Sequence, residues 1–215
     1  MKTFTSLQEM EKQIGASSTG GSTKKYFSLK DGDSFKIRFR QELTEDSTNF
    51  DSEAGTAMST NVVTSVINWK WKIASTASSE QHGYRCWGTE QAISNGRWKP
   101  RPHLLINIAV EVEPGNWEPR VVDTTFNQRH IGLTLIEYAK EFGTIVDRYY
   151  KYARTGSGAS DTNYTLIPLE IADEPEAVTS LPLHDLAGMY MSLPYSEQET
   201  YLTTGERANA PASDW

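Results

Sequence analysis

A mainly β fold is predicted, and three observations predict it. Apolar and charged residues alternate with period two, as in Phe35, Ile37 and Phe39 against Lys36, Arg38 and Arg40. The stretch HLLINIAVEV (103–112) is β-branched and mostly apolar, as a buried strand requires. Turn signals such as Asp31-Gly32 and EPGN (113–116) separate the strand-like runs.

The elements follow in chain order. Residues 5–14 predict a short amphipathic helix with Leu7, Met10 and Ile14 on one side, and GASSTGGS (15–22) a flexible linker. YFSLKDGDSFKIRFR (26–40) reads as strand, turn, strand, and residues 41–60 as a polar loop. NVVTSVINWKWKI (61–73) reads as a strand with Trp69 and Trp71 on one face and Lys70 and Lys72 on the other. A long Ser/Gly-rich loop (74–98) precedes the 103–112 strand, and WEPRVVDTT (117–125) is its hairpin partner. RHIGLTLIEYAKEFG (129–143) has helical spacing and ends on a glycine suited to a C-cap. VDRYYKYAR (146–154) and NYTLIPLEI (163–171) predict a second hairpin. PLHDLAGMYMSL and YSEQETYL each predict a short helix, and 203–215 is expected to be disordered.

Five or more strands with one interrupting helix and long loops suit an OB-like Greek-key barrel with a disordered acidic C-terminal tail. A sandwich is the competing arrangement. The expected organisation is an arm and linker (1–23), an OB-like core (24–171), an acidic, partly helical segment (172–202) and the tail (203–215).

A chain of 215 residues fits one medium domain with appendages, and 23 aromatic residues (6 Trp, 10 Tyr, 7 Phe) supply its core. The single cysteine, Cys86, allows no internal disulfide and fits a reducing compartment. No signal-peptide or membrane-spanning pattern is read, so a cytoplasmic protein without membrane association is expected.

The net charge of −7 argues against a nucleic-acid partner, but its distribution argues the other way. Residues 172–215 hold eight acids and one base, which accounts for −7; residues 1–171 hold 20 of each sign. Cations cluster at 24–40 and at 69–101.

Binding a single strand needs cations along the backbone and aromatic faces for bases. Both are interleaved in Lys24-Lys25-Tyr26, Trp69-Lys70-Trp71-Lys72, Arg97-Trp98-Lys99-Pro100-Arg101 and Arg148-Tyr149-Tyr150-Lys151-Tyr152. The candidate contacts are therefore Lys24, Lys25, Tyr26, Lys36, Arg38, Arg40, Trp69, Lys70, Trp71, Lys72, Arg97, Trp98, Lys99, Arg101, Tyr149, Lys151 and Arg154. No catalytic motif is present, so no enzyme and no cofactor is expected. One cysteine falls short of a structural zinc site, and no metal is expected. The acidic pairs Asp31/Asp33 and Glu111/Glu113 flank turns and leave a metal-dependent nuclease as a remote reading. A β-rich virion or assembly accessory protein is the nearer alternative.

Three stretches, KKYFSLKDGDSFKIRFRQEL (24–43), CWGTEQAISNGRWKPRPHLLINIAVE (86–111) and YKYARTGSGASDTNYTLIPL (150–169), carry a resemblance, with a helix ending EFGTIVD (141–147) between the last two. The chain resembles the single-stranded-DNA-binding proteins of tailed phages, especially actinobacterial phages, which are distantly like the helix-destabilising protein of the T-even phages. The resemblance implies an OB fold and sequence-independent binding of single-stranded DNA in phage replication, recombination and repair, within the host cytoplasm. It also implies an acidic tail that competes with DNA and recruits phage or host replication and recombination proteins. Asp214 and Trp215 match such a tail ending. A monomer or weak cooperative self-association is expected. Many relatives carry a zinc ribbon; only Cys86 remains of that pattern, and the zinc is not carried over.

Overall fold

The computed structural model describes residues 25–158 and 161–207. Within them the chain forms seven strands: β1 (Ser34–Phe39), β2 (Met58–Thr64), β3 (Lys72–Ala74), β4 (Arg101–Glu113), β5 (Asn116–Thr125), β6 (Arg148–Thr155) and β7 (Asn163–Ile171). Helices α1 (Trp87–Gln91), α2 (Gly132–Phe142), α3 (Glu176–Thr179) and α4 (Tyr195–Thr204) accompany them. All seven strands join one antiparallel sheet in the order β3-β2-β4-β1-β6-β7, with β5 also paired to β4. The long apolar β4 organises it. One edge meets β5 from His103 to Glu113, while the other meets β2 near Arg101–Leu105 and then β1 near Ile108–Glu111.

Alternation sorts the side chains. Ile37, Phe39, Ile106, Ile108 and Tyr150 fill one face, which α2 covers through Leu135. Gly143 ends α2 in the left-handed region at φ 73°, as its sequence position predicts. A second cluster sets Val62, Leu105 and Val121 against Leu186 and Tyr190. A third packs Val63 and Ile73 against Trp87, Trp98, Tyr201 and Leu202.

Four expectations are corrected. Residues 26–30 do not pair back on β1; Tyr26 bridges Val121 of β5 in parallel instead. The 61–73 region is two strands, because Ser65 Oγ accepts from the amides of Ile67 and Asn68 and Asn68 Oδ1 accepts from that of Lys70. Such side-chain bonds replace the ladder with a turn. The long loop 74–98 contains α1 and two single-turn 3-10 helices, Glu80–His82 and Gly96–Trp98. Residues 182–193 are not helical: the carbonyls of Met189 and Met191 are taken by Tyr26 Oη–H and the Ala74 amide. The predicted 5–14 helix and 15–22 linker lie outside the described residues, as does the 203–215 tail beyond Arg207, while Thr203 and Thr204, expected to be disordered, close α4.

Residues 172–204 form a strap rather than a loose extension. Leu186 and Tyr190 are buried against the sheet, and α4 inserts Leu202 into the third cluster. Gln198 is fully buried and completes its bonds with the Trp87 amide (2.9 Å), Thr76 Oγ1 (2.8 Å) and the Leu193 carbonyl (2.8 Å). A buried amide needs such partners to avoid a desolvation loss. Beyond α4, Gly205 lies so close to the Trp71 ring that a Cβ there would meet it at 2.6 Å.

Candidate nucleic-acid interface

The turn between β2 and β3 shapes the first wall. Its Ser65 and Asn68 bonds lift Trp69 to the tip, where 69% of the residue is exposed. Trp71 instead packs into the third cluster, so the two tryptophans do not share a face. Lys70 is exposed beside Trp69, with its Nζ 5.9 Å from the ring centroid.

The second wall comes from the turn before β4. Asn95 Oδ1 accepts the Arg97 amide at 3.1 Å and starts one tight 3-10 turn. That turn sends Trp98 inward, edge-on to Trp87 at 4.9 Å, and leaves Arg97 and Lys99 outside. Arg101, at the start of β4, is also exposed. Among the described residues the side chains of Arg97, Lys99 and Arg101 enter no ion pair.

Between the walls lie two adjoining cavities of about 530 and 520 Å³, which share Trp69, Lys72 and His130. The first is aromatic, with Tyr26, Phe27, Tyr152, Tyr164 and Tyr190 around it. The second carries Arg97, Lys99 and Arg101 with Asn127 and Thr125. Among the described residues Asp123 is the one acidic residue lining either cavity. His103 Nδ1 lies 2.6 Å from its Oδ1, Tyr190 donates to its Oδ2, and Lys72 Nζ stands 4.0 Å away. Burial pushes the Asp123 carboxyl up, but the bonds from His103 and Tyr190 and the charges of His103 and Lys72 outweigh it and hold its pKa below the usual value. His130 stacks on Tyr164 at 5.1 Å, and burial holds its pKa below the usual value. Burial first, and Asp123 second, push Tyr26 up to about 12.

Of the predicted contacts, Tyr26, Trp69, Lys70, Lys72, Arg97, Lys99 and Arg101 thus surround this groove. Trp98 and Tyr149 do not offer free rings. Trp98 is core, and Tyr149 is buried, stacked on Trp117 at 5.5 Å under Lys36. Lys36, Arg38 and Arg40 are engaged within the fold: Lys36 pairs with Glu170 at the end of β7 at 3.1 Å, while Arg38 donates to the strap's Ala172 carbonyl at 2.7 Å and Arg40 pairs with its Glu174 at 2.7 Å. Lys151 is exposed opposite Lys36 in register. Arg154 pins its own hairpin through the carbonyls of Leu29 and Gly156 and through Thr162 Oγ1. Lys25 is exposed; Lys24, Asp214 and Trp215 lie outside the described residues.

Sequence reasoning missed Asp123, His103, His130, Tyr164 and Tyr190. Strand alternation flags Tyr164 weakly; the others meet only through long-range pairing. Three acids of the predicted pairs hold backbone amides: Asp33 that of Lys30 and Glu111 that of Gly115 within their own turns, and Asp31 that of Gly156 across to the β6–β7 hairpin. Among the described residues no three His, Cys, Asp or Glu side chains are grouped to hold a metal ion, and no helix is long and apolar enough to cross a membrane. Compared with known proteins, the chain matches no family model, no curated protein and no solved structure.

Proposed function

We propose that the chain binds single-stranded DNA without catalysing a reaction, through the groove between the 65–71 turn and the 96–101 segment. One observation carries the reading: five cations with no more than one acid gather around a groove beside an exposed tryptophan. Phosphates run along Lys70, Lys72, Arg97, Lys99 and Arg101, while bases enter the aromatic cavity and stack, each stack contributing about 1–3 kcal/mol. The seven-stranded antiparallel sheet, with Tyr26 bridged to Val121 of β5, supports an OB-like barrel as the scaffold. In this reading the protein coats single strands during phage replication, recombination and repair in the host cytoplasm. Residues after the strap, ending in Asp214-Trp215, recruit replication or recombination partners.

Titration with a single-stranded oligonucleotide at low salt tests it. Tryptophan fluorescence should be quenched, and affinity should drop steeply as salt rises, because neutralised phosphates release counterions. Absence of quenching and of any salt-sensitive binding overturns the reading.

A further inference from the structure

We infer that Asp123 makes the groove selective, so that its aromatic cavity takes a nucleobase bearing an exocyclic amine in preference to thymine. This rests on the single-strand reading above and goes beyond sequence-independent coating.

A carboxylate in a groove built for phosphates works against phosphate binding unless it has another task. Asp123 is held there deliberately by the fold. His103 fixes Oδ1 from β4, and Tyr190 fixes Oδ2 from the strap, so the group has one orientation. Each carboxylate oxygen offers about two acceptor sites. The two fixed bonds take one on each oxygen, and Lys72, 4.0 Å away, is beyond hydrogen-bond length. Acceptor capacity therefore remains, and the side chain is still 17% exposed at the aromatic cavity.

A base held among Tyr26, Tyr164 and Trp69 presents its edge to this carboxylate. Cytosine and adenine present an amine there, and guanine presents both a ring N1–H and an amine. A carboxylate accepts such protons, as it does from cytosine N4 in DNA grooves. Thymine presents a carbonyl at the same position; its ring N3–H is flanked by two carbonyl oxygens, which repel a carboxylate approaching it.

The test compares oligo-dC and oligo-dT of equal length at fixed salt. The native chain should bind oligo-dC about tenfold tighter, the ratio produced by one charge-assisted hydrogen bond. An oligo-dC whose N4 positions carry two methyl groups has no amine proton and should bind as oligo-dT does. Asp123→Asn, whose amide also donates, should bring the dC to dT ratio to about one or below. The ratio does not depend on what fraction of a variant folds. Equal or tighter binding of oligo-dT by the native chain overturns the inference, as does a dimethylated oligo-dC that binds as well as oligo-dC. Failure to bind either homopolymer overturns the single-strand reading instead.

Discussion

Arg40, the residue after β1, reaches Glu174 of the strap, Nε to Oε1 at 2.7 Å, and gives its remaining nitrogens to the carbonyls of Val178, Thr179 and Leu181. A guanidinium engaged in this way is a fastener. Arg40→Ala should lower stability by about 2–4 kcal/mol, since charged hydrogen bonds to partly buried groups are lost together. Urea unfolding measures it. The same variant should leave the salt slope of DNA binding unchanged.

Groove cations should behave in the opposite way. Lys99→Ala or Arg101→Ala should leave the melting temperature within a degree or two, because neither side chain enters an ion pair among the described residues. Each should lower the salt slope of single-strand affinity by about 0.7, the value for one released counterion. Slopes from titrations between low and moderate salt decide this.

Trp69 is the exposed tryptophan among the described residues. Trp69→Phe should remove most of the DNA-induced quenching while retaining a ring for stacking, so affinity should fall only severalfold. Trp69→Ala should cost about 1–3 kcal/mol of binding. Fluorescence and anisotropy measured on both variants separate signal from affinity.

Ending the chain at Leu169 removes Leu186, Tyr190, Gln198 and Leu202, all buried. Such a chain should lose its cooperative unfolding transition rather than bind DNA more tightly. A chain ending at Arg207 should melt like the full chain, and it is the one in which competition by the final residues can be measured. Leu202→Ala alone should cost about 2–5 kcal/mol, the usual range for emptying a buried leucine site.

Acid should act in two windows. The folded pKa of His130 is held below its ordinary value of 6.5, chiefly by burial, so the unfolded chain binds this proton first. Stability therefore falls as pH drops below about 6.5 and levels off under the folded pKa. Asp123 has its folded pKa held below its ordinary 3.8, so its contribution is present above that value and is lost as pH falls through the folded pKa. Thermal melts of the native chain and of His130→Gln between pH 7 and 5 should differ in slope, the variant being flatter.

The strands of both hairpins, β4–β5 and β6–β7, and the helix ending at Gly143 were legible because period and turn residues agree there. The Trp69–Trp71 stretch was misread because two small polar side chains, Ser65 and Asn68, outweigh β propensity through bonds no periodicity reports. Cations at 36, 38 and 40 were correctly placed on one face, yet alternation cannot say what lies over that face. Glu174, read only as part of an acidic, partly helical segment, pairs with Arg40, and the strap's apolar Leu186 and Tyr190 hold it down. Asp123 and Tyr190, 67 residues apart, meet only because the strap crosses the sheet.

Because Arg38 waits for Ala172, 134 positions later, and the Trp87 amide for Gln198, 111 positions later, assembly is deferred until nearly the whole chain exists. Ribosomes add about 5–20 residues per second, so β1 spends several seconds with its basic stripe bare while the strap is still being made. During that interval Arg38 and Arg40 lack the strap groups that hold them in the finished fold, and folding completes only when the strap has closed over them. Closure of such distant segments also sets a slow folding rate, as expected where sequence separation between partners is large.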